Sequence, residues 1–278
     1  MSMQNPYLPL LGTLAEVKPL GTDIKLFKIR LDDPAFAHDF AYRPGQFAFV
    51  SAFGVGEAPF GITSVTGIDE TVDVAIAQVG TVTHALHELN AGDTVGLRGP
   101  MGNWFPLEEL KGKNILVLGG GIGGAPLRPV ITSILHDRDH YGDMTILWAA
   151  RTPRLLVFTD EYETWRQAPR TQLHLTVDEG DATWKDNVGL ITDLLRKVKP
   201  SPDNAAVIVC GPPIMIHFAI QELAKLGFTS EQIITTLEAK MKCGIGKCGR
   251  CNMGEQYVCL HGPVFKHSEI QGFLESFL

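Results

Sequence analysis

Residues 114–130 read NILVLGGGIGGAPLRPV, an apolar run followed by five glycines and the beginning of a helix pattern. Gly119, Gly121 and Gly124 have the spacing G-x-G-x-x-G, and Gly123 lies among them. Small residues at this spacing let the backbone approach a pyrophosphate at the positive end of a helix, although a merely tight turn can share the pattern. The motif directly follows an apolar strand pattern, which is the context that a dinucleotide site requires, so we expect a dinucleotide to bind here.

The chain downstream of Pro106 alternates between apolar runs and helix patterns. The apolar runs are NILVLGG (114–120), DMTILWAA (143–150), TQLHLTV (171–177), AAVIVCG (205–211) and QIITTLEA (232–239). The helix patterns are PLRPVITSILHD (126–137), GLITDLLRKV (189–198) and MIHFAIQELAKLG (215–227). This alternation indicates a parallel sheet covered on both faces, as in doubly wound nucleotide-binding domains. From about residue 240 we expect the strands to stop.

The chain upstream of Pro106 has a different pattern, with short half-buried strands separated by turns. The clearest strands are KLFKIRL (25–31), QFAFVSAF (46–53) and VDVAIA (72–77), and THALHEL (83–89) is the one helix pattern. This pattern predicts an antiparallel β-barrel or sandwich with one inserted helix. We therefore expect an antiparallel β-barrel domain over 1–107, an α/β parallel-sheet domain over 108–239 and a short C-terminal module over 240–278.

Length and charge restrict the possible functions. The 278 residues suggest two domains with room for a small appendage. Lys and Arg total 24 against 31 Asp and Glu, and the resulting net charge of −7 disfavours nucleic acid as a partner. Every apolar stretch is interrupted before the roughly 18 residues that a membrane helix needs, and the first residues lack a secretory pattern. We expect a cytoplasmic protein with no membrane contact.

Four of the five cysteines crowd near the C-terminus. Cys243, Cys248, Cys251 and Cys259 have the spacing C-x4-C-x2-C-x7-C, with glycines between them that permit close wrapping of the backbone. The first three match the plant-type spacing of a [2Fe–2S] cluster, which is the favoured interpretation. The alternatives are a zinc site with four cysteine ligands and a disulfide framework. Zinc ribbons favour two well-separated C-x2-C pairs, and disulfides are rare in the cytosol.

Two further segments border the expected dinucleotide site. Arg151 ends the second strand pattern of the parallel array, where it either contacts a ribose or 2′-phosphate or is a solvated arginine. Because no acidic residue stands clearly in the ribose position, the sequence leaves NAD and NADP open. Cys210 ends AAVIVC and is followed by Gly211 and Pro212 at the carboxyl edge of the sheet, where ligands bind, although a cysteine there is more often part of the core.

Three segments of the first domain have only local signals when taken separately. Tyr42–Phe47, Pro59–Ser64 and Gly80–Thr83 can each be a turn, a loop or a helix cap. A helix N-terminus with Gly and Thr can also hold a phosphate, and an exposed Phe60 can face a flat ring.

Together, these segments resemble the ferredoxin–NAD(P)H reductase superfamily, in which a flavin-binding antiparallel barrel precedes a nicotinamide-binding α/β domain. The stretch KMKCGIGKCGRCNMGEQYVCLHGPVF (240–265) narrows the resemblance to its small electron-transfer subunits. These are typified by the gamma subunit of sulfhydrogenases and by the electron-transfer subunits of anaerobic sulfite reductase and dihydroorotate dehydrogenase. The resemblance implies three cofactors, namely FAD, a [2Fe–2S] cluster and NAD(P)H.

The resemblance also implies roles for individual residues. It places the flavin on Pro59, Phe60, Gly61, Ile62, Thr63 and Ser64, with Phe60 against the isoalloxazine ring, and the flavin diphosphate on Gly80 and Thr83. It places the nicotinamide nucleotide on Gly119, Gly121, Gly123, Gly124, Cys210, Gly211 and Pro212, with Cys210 near the nicotinamide. It places the cluster on the four crowded cysteines.

One departure from the superfamily concerns the flavin. The superfamily's arginine-x-tyrosine-serine pattern becomes Ala58-Pro59-Phe60-Gly61, so the arginine that neutralises the flavin diphosphate is missing. Arg43 and Arg98 are candidates to replace it. Weaker FAD binding, or FMN in place of FAD, are the alternatives that this departure leaves open.

The combined pattern predicts an electron-transfer subunit. A nicotinamide exchanges two electrons as hydride and an iron–sulfur cluster takes one, so a flavin is expected between them. The expected partner is a larger redox catalytic subunit of a hydrogenase, a sulfur or sulfite reductase or a heterodisulfide reductase-like complex. The alternatives are a dihydroorotate dehydrogenase electron-transfer subunit, a stand-alone NAD(P)H:ferredoxin reductase and a non-catalytic zinc-containing redox sensor. The sequence leaves open the direction of electron flow, electron bifurcation and the oligomeric state.

Overall fold

The computed structural model describes residues 5–274, which form two compact units. The first unit contains the chain up to Trp104 and returns for Leu237–Pro263, and the second contains Phe105–Thr236 and the chain from Val264 onwards. The cysteine segment therefore belongs to the same unit as the N-terminal strands. The expected domain boundaries at 107/108 and 239/240 stay predictions, and their outermost residues, 1–4 and 275–278, lie outside the described part.

The first unit is built on an antiparallel sheet that closes on itself. Its elements up to Trp104 are β1 (Leu10–Gly21), β2 (Ile24–Leu31), α1 (Pro34–Asp39), β3 (Phe47–Ala52), β4 (Gly56–Gly61), β5 (Val72–Ala77), α2 (Thr81–His87) and β6 (Thr94–Met101). The strand order is β4-β3-β6-β1-β2-β5, and a bridge between Ile62 and Val74 joins the two outer strands. The expected antiparallel barrel is thus confirmed.

Apolar side chains at alternate positions of several strands share one face and form the interior of the barrel. The buried cluster includes Leu14, Phe27, Ile29, Val50, Val74, Ile76 and Leu97. Removing each large aliphatic or aromatic side chain from water contributes about 1.5–3 kcal/mol. The inserted helix pattern is also confirmed, because α2 overlaps the predicted 83–89.

The barrel contains a second helix that the sequence analysis did not predict. Helix α1 begins after Asp33, whose carboxylate accepts a hydrogen bond from the Ala35 N–H at 2.9 Å, and Pro34 occupies its first position. This is ordinary N-terminal helix chemistry. The expectation of a single helix in this domain was wrong, because a six-residue helix with no buried residue leaves no apolar period to detect.

The second unit is a parallel sheet with helices between its strands. Its elements are β7 (Asn114–Gly120), α3 (Arg128–His136), β8 (Met144–Ala150), α4 (Tyr162–Gln167), β9 (Thr171–Val177), β10 (Asn187–Val188), α5 (Ile191–Val198), β11 (Ala205–Cys210), α6 (Pro213–Lys225) and β12 (Ile233–Thr236). The sheet order is β10-β9-β8-β7-β11-β12, followed by a seventh strand after Val264. Since the chain runs outward from β7 in one direction and then restarts at β11, the carboxyl ends of β7 and β11 form the topological switch point.

The remaining elements lie in the C-terminal stretch. They are β13 (Asn252–Met253), β14 (Gln256–Tyr257), α7 (Val258–His261), β15 (Val264–Lys266) and α8 (His267–Leu274). The expectation that strands stop near residue 240 was wrong, because β15 pairs antiparallel with β12 and completes the sheet of the second unit. A three-residue strand is too short to show periodicity. Within residues 5–274, no helix has the length and apolar character needed to cross a membrane.

Candidate functional site

The expected flavin segment begins on strand β4 of the barrel. Phe60 pairs with Ala48 of β3 and packs against the barrel core, while Pro59, Phe60 and Gly61 stay partly accessible. The next residues turn inward, and Ile62, Thr63 and Ser64 are almost fully buried. A cofactor can therefore contact Pro59, Phe60 and Gly61, whereas Ile62, Thr63 and Ser64 are part of the protein interior.

A buried hydrogen-bond network fixes the inner half of this segment. The Tyr42 hydroxyl lies 2.6 Å from Ser64 Oγ, and Ser64 Oγ accepts the N–H of Asp73 at 2.9 Å. Thr63 N–H also donates to the Asp73 carbonyl at 2.8 Å. Burial raises the pKa of Tyr42 to about 12, so its phenol stays protonated and able to donate. Tyr42 thus belongs to the machinery that shapes the flavin segment.

Gly80 and Thr83 form the N-terminus of α2, as their spacing predicts. The Thr83 hydroxyl accepts hydrogen bonds from the N–H groups of Val79 and Gly80 at 2.9 and 2.8 Å. It also donates to the Gly80 carbonyl at 2.8 Å. The hydroxyl thereby orders the first turn of the helix and the loop that enters it. A Cβ on Gly80 would meet no atom within 4 Å, so open space lies beside this turn.

Arg43 and Arg98, the candidates to replace the superfamily arginine that is missing at Ala58, both contact other parts of the protein. Arg43 stacks over the Trp104 ring at 4.3 Å. Arg98 is buried, binds Glu57 through two nitrogens and donates to the Cys243 carbonyl at 2.8 Å. Arg98 therefore connects the barrel to the cysteine segment. The sequence marked this arginine only as a substitute for a missing charge, because nothing local indicates a contact 145 residues away.

A cavity of about 600 Å³ separates strand β4 from the beginning of the cysteine segment. Its lining consists of Glu57, Ala58, Pro59, Glu238, Ala239, Lys240, Met241, Lys242 and Arg250. Glu238 is reached by water through the cavity, yet the surrounding protein disfavours its charged form and raises its pKa. No local sequence pattern marks Glu238 or this cavity, since both depend on the return of the chain to the barrel.

The four crowded cysteines lie together in the first unit as two close pairs. Cys251 Sγ is 3.2 Å from Cys259 Sγ, and the Cys248 thiol hydrogen-bonds that of Cys243. None of the five cysteines forms a disulfide, so the disulfide framework is not what the structure shows. Within residues 5–274, there is no group of three or more His, Cys, Asp or Glu side chains placed to bind a single metal ion. Two thiol pairs suit a cluster in which each of two irons takes two cysteines.

Backbone N–H groups surround these sulfurs. Lys247 and Cys248 donate to Cys243 Sγ at 3.3 and 3.4 Å, and Gly246 donates to Cys259 Sγ at 3.1 Å. Burial disfavours the Cys243 thiolate. The N–H groups of Ile245, Lys247 and Cys248, together with the Cys248 thiol, nevertheless lower the pKa of Cys243 to about 6. The segment is thus able to present a thiolate to a metal.

The pKa of Cys259 is shifted in the opposite direction to that of Cys243. Burial raises the pKa of Cys259 to about 12, and the neighbouring sulfurs of Cys251 and Cys243 raise it further when they carry negative charge. Four thiolates so close together need cationic charge among them, which the irons of a cluster supply. The residues present therefore fit an iron–sulfur cluster, with Cys243, Cys248, Cys251 and Cys259 as candidate ligands.

Glycine is required where the cysteine segment meets the barrel. Gly244 has φ +74°, and a Cβ there would lie 2.7 Å from Phe49 Cε2 and closer still to the Met101 sulfur. Gly249 has nearly the same backbone angle, φ +70°, but a Cβ there would meet nothing within 4 Å. Gly244 therefore lets the backbone next to Cys243 pack directly on β3 and β6.

The second unit brings the glycine motif and the Cys210 segment together at the switch point. Gly119 of β7 pairs with Cys210 of β11, as parallel neighbours. A Cβ on Gly123 would collide with the backbone of Gly211, and one on Gly124 would collide with the Trp148 indole. These glycines thus permit close internal packing, whereas Gly121, at φ +57°, faces open space where a phosphate can approach.

Cys210 and Arg151 have different surroundings at this edge. Cys210 is buried and its sulfur lies 2.8 Å from Thr236 Oγ1 on the neighbouring strand β12. Arg151 is exposed directly after β8, and its charge partly offsets the burial that raises the pKa of Asp178. Pro212 precedes α6 and is exposed. The structure therefore leaves Arg151 and Pro212 accessible, while the Cys210 side chain is packed inside.

Family models match three successive parts of the chain. Residues 12–105 match the oxidoreductase FAD-binding domain, and residues 117–221 match the oxidoreductase NAD-binding domain. Residues 238–271 match the iron–sulfur cluster binding domain of dihydroorotate dehydrogenase B. FAD, NAD(P)H and an iron–sulfur cluster are accordingly the cofactors of this protein.

Similar proteins match over nearly the whole chain. Sulfhydrogenase 1 subunit gamma of Pyrococcus furiosus is 36% identical over 277 residues, which cover 97% of this chain and 94% of that protein. The probable dihydroorotate dehydrogenase B (NAD(+)), electron transfer subunit, of Methanocaldococcus jannaschii is 35% identical and covers 82% of this chain and 80% of its own. Among solved structures, an NADH-dependent reduced ferredoxin-NADP oxidoreductase superposes with a TM-score of 0.75 at 24% identity, covering 99% of this chain and 95% of its own.

These matches define a class of NAD(P)H-dependent oxidoreductases with a flavin domain, a nicotinamide nucleotide domain and an iron–sulfur region. Within that class, the chain belongs to the family that contains the gamma subunits of sulfhydrogenases and the electron transfer subunits of dihydroorotate dehydrogenase B. The resemblance identified from the sequence motifs is thereby confirmed.

Proposed function

We propose that this protein is an electron-transfer subunit that moves electrons between NAD(P)H, FAD and a [2Fe–2S] cluster, to or from a larger catalytic partner. The observation that carries the proposal is the presence of the flavin segment and the four cysteines in one compact unit. In that unit a cavity is lined both by Pro59 of the flavin segment and by Lys242 and Arg250, which are sequence neighbours of Cys243 and Cys251. When bound, a flavin accepts hydride and releases electrons singly, and this links a two-electron nucleotide to a one-electron cluster.

We assign the cofactors to the residues that the sequence analysis named. Pro59–Ser64, Gly80 and Thr83 serve the flavin, and the cysteines 243, 248, 251 and 259 serve the cluster. Gly119–Gly124, Arg151 and Cys210–Pro212 serve the nicotinamide nucleotide. The corresponding functional segments are 1–107, 108–239 and 240–278, supported by family matches over 12–105, 117–221 and 238–271.

Cys248 is the position from which we expect electrons to leave or enter the protein. It is exposed, whereas Cys243, Cys251 and Cys259 are buried. Residues 240–252 around it carry Lys240, Lys242, Lys247 and Arg250 and no acidic residue, in a chain of net charge −7. A partner with an acidic docking surface suits this basic segment.

We place the partner in the hydrogenase or sulfur-compound branch. The support is the 36% identity to a sulfhydrogenase gamma subunit, which extends over 97% of this chain. The second candidate is a dihydroorotate dehydrogenase, because the cysteine region matches a model named for that enzyme. We place the protein in the cytoplasm, supported by five cysteines that form no disulfide, since reducing compartments keep thiols reduced.

An anaerobic visible spectrum of the purified protein, with iron, sulfide and flavin assays, tests this function. We expect flavin and two irons per chain, and bleaching of the flavin after addition of NADH or NADPH. The nucleotide that bleaches faster identifies the physiological one. A colourless protein that contains zinc and takes up no flavin would replace this function with that of a redox sensor.

A tagged copy purified anaerobically from the native cells identifies the partner. We expect a larger redox subunit to co-purify in a fixed ratio. Recovery of the protein alone, with NAD(P)H-dependent reduction of soluble ferredoxin, would instead identify a stand-alone reductase.

A further inference from the structure

The side chain of Arg98 connects β4, the strand on which the flavin segment begins and which we call the flavin strand, to Cys243, the first of the four crowded cysteines. It projects from β6 and is only 4% exposed. Nε and Nη2 donate to the two carboxylate oxygens of Glu57 at 3.2 and 2.6 Å, and Nη1 donates to the Cys243 carbonyl at 2.8 Å. Glu57 directly precedes Ala58 and Pro59 on β4. One guanidinium therefore holds two cofactor-binding segments that are far apart in sequence.

The surroundings of Arg98 keep its charge in place. Its guanidinium stacks over the Phe49 ring at 4.3 Å, and a further hydrogen bond joins Nη1 to the Pro6 carbonyl at 3.3 Å. Gly244 packs against the same Phe49 ring, and Cys243 beside it is buried. A guanidinium stays charged in proteins, and a buried charge acts on its neighbours with little screening.

The two members of the ion pair act unequally on the cysteine segment. Glu57 borders the cavity, and its side chain is 32% exposed, so water screens its charge more than that of Arg98. Arg98 also contacts the backbone of Cys243 directly, whereas no hydrogen bond joins Glu57 to the described cysteines. The field of the pair at the cysteines is therefore net positive.

We propose that Arg98 is a positioning residue that docks the first cluster ligand on the flavin strand and raises the reduction potential of the cluster. One-electron reduction adds one negative charge to the cluster without breaking a bond, and a nearby fixed positive charge stabilises that reduced state. The hydrogen bonds and charges around a cluster are known determinants of its potential. This inference rests on the proposed [2Fe–2S] cluster.

Two substitutions with opposite charge effects test the inference. Arg98→Gln removes the positive charge, and we expect the equilibrium constant for cluster reduction to fall about tenfold, which is 59 mV for one electron. Glu57→Gln removes the negative charge, and we expect a smaller change in the opposite direction. Arg98→Lys keeps the charge but loses the planar fork, so its potential should lie between those of wild type and Arg98→Gln.

The measurement is a redox titration followed by electron paramagnetic resonance, with iron and sulfide assays on every variant. Arg30→Gln on β2 is the matched control, since Arg30 is exposed and its removal should leave the potential unchanged. A purely structural role would move Arg98→Gln and Glu57→Gln in the same direction, or not at all, and either result overturns the inference. If Arg98→Gln fails to fold, Glu57→Gln decides the question by the sign of its shift.

The same assays separate this inference from the proposed function. A wild-type protein without iron and sulfide would overturn both. A normal cluster whose potential is indifferent to Arg98 and Glu57 would overturn this inference and leave the proposed function intact.

Discussion

The Thr83 hydroxyl and the backbone of Gly80 are joined in both directions, since Oγ1 accepts the Gly80 N–H and donates to the Gly80 carbonyl, each at 2.8 Å. This pair closes the turn that enters α2, and the resemblance assigns the flavin diphosphate to the same two residues. The hydroxyl therefore shapes the backbone at the assigned site, and its removal should affect folding as well as flavin affinity.

Thr83→Ala should lower the free energy of unfolding of the flavin-free protein by about 1 kcal/mol, because the N–H groups of Val79 and Gly80 lose their acceptor at the beginning of α2. The dissociation constant for FAD should rise, because the turn beside the diphosphate loses its fixed shape. Thr83→Ser keeps the hydroxyl and should restore both quantities. Urea unfolding and flavin fluorescence titration measure them. An alanine variant with unchanged FAD affinity would remove this turn from the flavin site.

The burial of Tyr42 makes the free energy of unfolding depend on pH in the alkaline range. Burial raises the pKa of Tyr42 to about 12 in the folded protein, against an ordinary value of 10. The folded state therefore binds the phenolic proton more tightly than the unfolded state. The resulting stabilisation, about 3 kcal/mol, is complete below pH 10 and is lost as the pH rises towards 12.

Urea unfolding of wild type and Tyr42→Phe between pH 8 and 12 isolates this contribution. The variant lacks the titrating group, so its stability should fall less steeply above pH 10. Because other groups also titrate in this range, the difference between the two proteins is the informative quantity. Parallel pH profiles would mean that Tyr42 ionises as an exposed tyrosine does.

Gly244 and Gly249 allow a matched comparison that tests how the cysteine segment packs on the barrel. Both have positive φ, so alanine costs backbone strain of about 1–2 kcal/mol at either position. Only at Gly244 does the added methyl meet Phe49 and Met101. Gly244→Ala should therefore lose iron and sulfide during purification, and Gly249→Ala should retain them.

Metal content and thermal unfolding of the two glycine variants check this expectation. Equal loss in both would show that backbone strain, and not packing on the barrel, controls cluster retention. A Met101→Ala background should partly rescue Gly244→Ala, since it removes one of the two side chains that the methyl meets.

Periodicity and motif spacing predicted most of this architecture. The apolar run NILVLGG became the central strand β7, and its glycines met the Cys210 segment at the switch point because parallel strands end at the same edge. The same logic failed for β15 and α1. Three and six residues respectively are too few to show an apolar period.

Long-range contacts set the other limit on prediction from sequence. Arg98 and Cys243 are 145 residues apart, and Arg98 and Glu57 are 41 residues apart. A buried arginine that joins two segments leaves no local pattern, so the sequence indicated a missing charge at Ala58 but not the actual partners of Arg98. The cavity near Glu238 was hidden for the same reason.

Substitution of the exposed Cys248 distinguishes the two halves of the proposed electron path, which are reduction of the flavin and delivery of electrons to an acceptor. Cys248→Ser removes one of the proposed cluster ligands, so delivery of electrons to a one-electron acceptor such as cytochrome c or the native partner should be lost. Reduction of the flavin by NAD(P)H should remain largely intact, because the nucleotide segments belong to the other unit and the flavin segment keeps its own hydrogen bonds. Cys210→Ser is the control for metal content. The Cys210 sulfur lies 2.8 Å from Thr236 Oγ1 in the second unit, so this substitution should leave the iron and sulfide content unchanged. Stopped-flow bleaching of the flavin and steady-state acceptor reduction measure the two halves separately, and equal loss of both in a folded Cys248→Ser protein would reverse the proposed order of cofactors.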